Sequence, residues 1–182
     1  MKNFLIAIVT ILLFACSCKT FTQITQGIKL NAVTNETPLP SGTYYIVNNN
    51  LALTPPDAMP GQNVFLKPFN RGGLQQWIVT RSGTGKNISY TLRLAGETDG
   101  LWFQPYAVKE HTPVVGSRSG NISLKIVPVP NDPAHWYIKS VRYNGDAMHS
   151  YLFSRELPME IRFDPAEENS SKYLWQFEAV KE

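Results

Sequence analysis

Three tryptophans constrain this chain more than any other feature. Trp77, Trp136 and Trp175 each open a short run with a bulky apolar residue two places on, in Trp77-Ile78-Val79, Trp136-Tyr137-Ile138 and Trp175-Gln176-Phe177. A two-residue period is that of a strand whose alternate side chains face one core. Upstream of each tryptophan lies an apolar run into proline: Phe65-Leu66-Lys67-Pro68, Lys125-Ile126-Val127-Pro128 and Arg162-Phe163-Asp164-Pro165. A further apolar run recurs as Tyr44-Tyr45-Ile46-Val47, Tyr90-Thr91-Leu92-Arg93-Leu94 and Tyr137-Ile138-Lys139-Ser140-Val141. The recurrence predicts three copies of one four-stranded unit, aligned on tryptophans 59 and 39 residues apart.

Beyond residue 38 no segment shows the 3.6-residue periodicity of a long amphipathic helix. Twelve short β-type runs occur instead within residues 43–179, separated by Gly, Asn, Asp and Pro. Twelve strands in three like units predict an all-β domain, closed as a barrel or layered as a sandwich. Composition agrees: 43% apolar, 17% charged and 12% aromatic residues, with 13 Pro and 12 Gly, describe a folded chain rich in turns.

The N-terminus has a different character. Met1-Lys2-Asn3 is a positive n-region, and residues 4–14 form an apolar run broken only by Thr10, so residues 1–15 are expected to be an export signal. A helix of that length falls short of the ~20 residues that span a bilayer. Leu13-Phe14-Ala15-Cys16 resembles the lipobox of bacterial lipoproteins, which implies diacylation of Cys16 and attachment to the cell envelope. Simple secretion is the alternative. Residues 16–38, rich in Thr, Gln and Asn, are expected to be a tether. Cys18 is the only other cysteine, so the domain at residues 39–182 holds no disulfide and depends on its core. Setting Lys2 aside, 16 basic residues stand against 14 acidic ones, which argues against nucleic acid as a partner.

Gln75-Gln76-Trp77 matches the Gln-x-Trp motif that ends each repeat of the ricin B-type lectin superfamily. Residues 63–77 also keep that family's strand, turn and strand rhythm. Over residues 39–181 the chain therefore resembles a β-trefoil of this superfamily, with a pseudo-threefold axis and four strands per repeat. The second and third motifs lack the glutamine, with Ala134 and Tyr173 in its place. The resemblance implies a shallow sugar site in which Phe65 stacks on a pyranose and Asn63 and Gln75 make polar contacts. Two positions depart from the family pattern: Thr54 stands in place of its aspartate and Leu74 in place of its asparagine.

A second candidate surface comes from the residues themselves. Asp99, Trp102, Gln104 and Tyr106 cluster an acid, an amide and aromatic rings, the pairing that a sugar's hydroxyls and C–H faces favour. Because β-trefoils also include protease inhibitors, two loops bearing Arg81, Lys86 and Lys109 are alternative candidates for presentation to a protease. A third possibility is a protein-interaction module with a degenerate sugar site. His111, His135 and His149 are scattered, and neither a His-Glu-x-x-His helix nor a Gly-x-Ser-x-Gly elbow is present. Neither catalysis, metal nor cofactor is expected; the leading expectation is a non-catalytic module whose partner is a glycan.

Overall fold

The computed structural model describes residues 38–96, 100–104, 113–116, 123–141, 147–151, 159–164 and 170–181. The expected export signal, Cys16 and the tether lie outside these residues, as do Asp99, Tyr106 and Lys109. Within them are twelve strands: β1 (Gly42–Asn48), β2 (Leu51–Thr54), β3 (Phe65–Pro68), β4 (Gln76–Ser82), β5 (Ser89–Leu94), β6 (Trp102–Gln104), β7 (Val114–Gly116), β8 (Leu124–Val129), β9 (Asp132–Ser140), β10 (Ala147–Tyr151), β11 (Met159–Asp164) and β12 (Gln176–Ala179).

Six of them close a ring. Within repeats β1 pairs with β4, β5 with β8, and β9 with the chain entering β12; between repeats β4 pairs with β5, β8 with β9, and β12 with β1. The other six form three hairpins, β2–β3, β6–β7 and β10–β11, each attached to the first strand of its repeat. A six-stranded barrel capped by three hairpins is the β-trefoil. Its strands form where side chains alternate: in β5 Tyr90, Leu92 and Leu94 are buried while Ser89, Thr91 and Arg93 point outward. β1 is buried on both faces, because Phe69 and Val180 cover Tyr45, Val47 and Ala52 on its outer side.

Pairing also corrects the repeat frame. The symmetric positions are Tyr44 opposite Trp77, Tyr90 opposite Leu124, and Trp136 opposite Trp175. Trp136 is thus the counterpart of Tyr44 and Tyr90, in steps of 46 residues, and Leu124 is the second-repeat counterpart of Trp77. Alignment on Trp136 failed because an aromatic followed two places on by an apolar residue satisfies any barrel strand, first or last. The run into Pro128 is likewise no counterpart of the run into Pro68. Pro128 pairs directly with Trp136 in a tight hairpin that turns at Asn131, whose φ is +60°.

Packing compensates for the missing tryptophan. The inward pairs of the three hairpins are Leu53 with Leu66, Phe103 with Val115, and Met148 with Phe163. Repeat 2 has a leucine in the barrel at 124 and in return the larger Phe103 in its hairpin, which meets Trp77 edge to face at 5.9 Å. Interiors fill at constant density, so bulk lost on one strand is recovered on its neighbour. Trp77 and Trp175 also fasten hairpins to the barrel: their Nε1–H groups donate to the Leu53 and Met148 carbonyls at 3.0 and 2.8 Å. Each large buried side chain contributes roughly 1.5–3 kcal/mol, the main source of stability in a domain without disulfides.

Candidate functional site

The loop after β3 is organised by Gln75, which ends a short 3-10 turn, Gly73–Gln75, and is buried. Its Oε1 accepts the Asn70 backbone N–H at 2.9 Å, and its Nε2 donates to the Pro68 carbonyl at 2.9 Å and to Thr54 Oγ1 at 3.3 Å. Thr54 Oγ1 in turn donates to the Ala52 carbonyl at 2.7 Å. Asn70 Oδ1 accepts the Gly72 N–H at 2.8 Å, closing the turn through Arg71, which stands at a φ of +59°. On its outer side the loop is clasped to the barrel, since Arg71 Nη2 meets Glu178 Oε1 at 2.8 Å and the Tyr45 hydroxyl donates to the Arg71 carbonyl. Both groups of the Gln75 amide are therefore engaged in holding the fold.

Above this framework lies a depression of about 430 Å³, lined among others by Thr54, Lys67, Pro68, Asn70, Leu74 and Gln75. The Lys67 ammonium and Asn70 Nδ2 have no hydrogen-bond partner among the described residues, so what the depression offers a ligand is donors.

Beside it runs the outward face of the hairpins. Alternation places Asn63, Phe65 and Lys67 on that face, with Val64 and Leu66 in the core. Ladder partners point to the same side of a sheet. Asn63 bridges Val114, and Val114 pairs with Gln104, so Asn63 and Gln104 lie in one row across two hairpins. Trp102, two residues from Gln104 and half-buried, shares the face. On the other side Phe65, also half-buried, pairs with Thr54 and with Glu160 of β11. The Glu160 carboxylate lies 3.7 Å from Arg162 on the same strand. Gln104 lies flat over Gly116: a Cβ there would fall 2.0 Å from Gln104 Nε2.

Four of the sequence candidates, Asn63, Phe65, Trp102 and Gln104, thus share one surface, with Gln75 behind it. Lys67, Asn70 and Glu160 join them, and the sequence singled out none of the three. Glu160 is brought to Phe65 only by the β3–β11 pairing; its one signal is its place in a polar and apolar alternation.

Arg81 and Lys86 sit elsewhere. Arg81 is still within the β4 ladder, opposite Tyr90, and its N–H donates to Ser41 Oγ. Lys86 lies in a 3-10 turn, Gly85–Asn87, and its carbonyl accepts from Lys125 Nζ at 3.1 Å. Gly83 allows this compact turn, since its φ is +79° and a Cβ would sit 2.4 Å from the Asn87 carbonyl oxygen. The turn is pinned through Lys125, and Arg81 and Lys86 are both exposed, away from the hairpin face.

No protein-family model matches the chain, and no curated protein matches it in sequence. Solved structures do match. A designed threefold-symmetric protein, ThreeFoil, superposes with a TM-score of 0.64 at 19% identity, over 76% of this chain and 99% of its own. A ricin B-like lectin from Macrolepiota procera, solved in complex with lactose, gives a TM-score of 0.60 at 19% identity over 79% of this chain and all of the lectin. A Polyporus squamosus lectin, bound to a human-type influenza-binding epitope, gives 0.61 at 19% identity over 79% of this chain and 50% of its own. The chain is similar in fold to these β-trefoils, sugar-binding lectins among them.

Proposed function

We propose that the protein is a non-catalytic carbohydrate-binding module, held at the cell envelope through a lipid on Cys16. One observation carries the binding reading: Phe65 is half-exposed on a sheet face shared with Asn63, Gln104 and Trp102, and is paired there with Glu160. A pyranose offers C–H faces to an aromatic ring and hydroxyls to planar amides and carboxylates, and this face supplies both kinds of group. Phe65 is the stacking platform, Glu160 accepts from hydroxyls, and Lys67 and Asn70 donate at the edge of the depression. Trp102 extends the surface for a second sugar unit. The lactose and sialylated-epitope complexes of the lectins with the same fold support a glycan as partner.

Among the described residues, carboxylate spacing on this face supports binding without transformation. Glycoside hydrolysis employs two carboxyls about 5–9.5 Å apart. Asp164 is four residues from Glu160 along β11, a Cα separation of about 13 Å at the strand rise. The decisive experiment is a glycan array followed by titration calorimetry with Phe65→Ala and Trp102→Ala. Binding to a defined glycan, weakened about tenfold or more in Phe65→Ala, is the expected result. Glycan affinity unchanged in both variants, or no binding across a broad array, would reject the reading.

A further inference from the structure

A second depression, of about 410 Å³, lies where repeat 3 closes onto repeat 1. Its rim carries Asn49, Asn50, His135, Ser171 and Gln176; Val47 and Leu174 supply the apolar wall. None of these residues belongs to the hairpin face described above. From them we propose a binding site for a neutral polyhydroxylated ligand, a mono- or disaccharide, at the repeat seam.

The rim is fixed before any ligand arrives. Asn48 is buried, and its Nδ2 donates to the carbonyls of Ser171, Lys172 and Leu174 at 3.0, 3.3 and 2.8 Å, tying the end of β1 to the turn before β12. His135 is held from both sides: Nδ1 is 2.7 Å from Asp132 Oδ2, and Nε2 is 3.1 Å from Gln176 Nε2. With Nδ1–H donating to the carboxylate, Nε2 accepts from the Gln176 amide. The Gln176 Oε1 is then turned away from the imidazole and has no partner among the described residues. A rigid rim of this kind lowers the ordering cost of binding.

Chemistry of the rim selects the ligand. The side chains of Asn50 and Ser171 and the Oδ1 of Asn49 also have no partner among the described residues, so the seam offers both donors and acceptors. Among the described residues, neither lysine nor arginine lines it. A hydroxyl both donates and accepts, whereas a phosphate or carboxylate only accepts and needs cations. The volume falls in the lower part of the about 300–1,000 Å³ span of small-molecule sites. Asn49 and Asn50 form the two-residue turn between β1 and β2 at φ of +49° and +64°. Glycine adopts such φ with less strain, yet both positions carry asparagines, and both line the seam.

That turn makes the test clean. Asn50→Gly relieves a left-handed residue while removing one rim amide, so it cannot abolish binding by unfolding the turn. The experiment titrates the protein with glucose, galactose, N-acetylglucosamine and lactose at millimolar concentration, following backbone and side-chain amide NMR signals. Signals of Asn49, Asn50, His135 and Gln176 are expected to move saturably with at least one sugar. Affinity should fall about tenfold in Asn50→Gly and in Gln176→Ala and remain in Phe65→Ala. Absence of seam shifts with all four sugars, or shifts that persist unweakened in Asn50→Gly and Gln176→Ala together, would overturn the proposal. The site shares its ligand class with the hairpin face but none of its residues, and Phe65→Ala separates a failure of one from a failure of the other.

Discussion

Trp136 and Trp175 are partners on adjacent strands of the barrel and exchange both backbone hydrogen bonds, N–H to carbonyl at 2.9 Å one way and 3.0 Å the other. They are the first and last barrel positions of a single repeat, joined where that repeat closes. In repeat 1 the same relation holds between Tyr44 and Trp77, and in repeat 2 between Tyr90 and Leu124.

The two tryptophans differ in what their indole N–H groups do, and stability should follow. Trp175 Nε1 donates to the Met148 carbonyl, whereas Trp136 Nε1 is buried with no partner among the described residues. Replacing Trp175 by Phe leaves a carbonyl without its donor as well as a smaller ring, an expected loss of about 2–4 kcal/mol. Trp136→Phe removes volume and an unpaired donor together, so its loss should be smaller by about 1 kcal/mol or more. Urea denaturation of both variants measures the gap; equal losses would contradict the assignment.

How much of this was legible in the sequence depends on the range of the contact. All twelve strands are legible as short β-type runs between turn residues, because that pattern is set within about four or five residues. The frame of the second repeat is not, because Leu124 replaced the tryptophan and Trp136 supplied a decoy twelve residues later. Phe65 and Gln75 were recognisable from the motif around them. The neighbour that completes the Phe65 surface, Glu160, comes from a strand 95 residues away in an unlike loop context, and only the hairpin packing joins them. The seam rim was invisible for the same reason: His135 reads as a scattered histidine until β9 and β12 are side by side.

Gln75 separates scaffold from site. Gln75→Ala strips the loop of three hydrogen bonds and leaves the Asn70 N–H and the Pro68 carbonyl without that partner, an expected destabilisation of about 2–4 kcal/mol. Lys67→Ala lies on the same depression but donates to nothing among the described residues, and should change stability by less than about 0.5 kcal/mol. Thermal or chemical denaturation of the pair tests this. If Lys67→Ala were the more destabilising, the division between framework and ligand-facing groups would be wrong.

Gly116 offers a way to move the Gln104 amide, proposed above to lie on the glycan face, without replacing it. A methyl group at 116 meets the end of the Gln104 side chain, which is flexible and can swing aside. Gly116→Ala should therefore leave the barrel within about 1 kcal/mol of the parent protein. Glycan affinity at the hairpin face should fall as far as in Gln104→Ala. Calorimetry on both variants checks the equivalence, and an unaffected Gly116→Ala would remove Gln104 from the site.

Asp132 gives the seam a dependence on acid. Burial pulls its carboxyl upward, but the hydrogen bonds from His135 and the Ala134 N–H together hold it below its ordinary 3.8. A carboxyl with a depressed folded pKa binds fewer protons folded than unfolded. Its contribution to stability is therefore complete above the unfolded value and disappears as pH falls through the folded one. Because the side chain is a third exposed, solvent screening keeps that contribution small. Asp132→Asn keeps an acceptor for the Ala134 N–H and removes the titration. The stability difference between the parent protein and Asp132→Asn should accordingly shrink as pH falls below about 4. Urea midpoints across that range measure it. A difference that widened in acid would mean that the carboxyl is raised in the folded state, and that His135 is oriented by something other than Asp132.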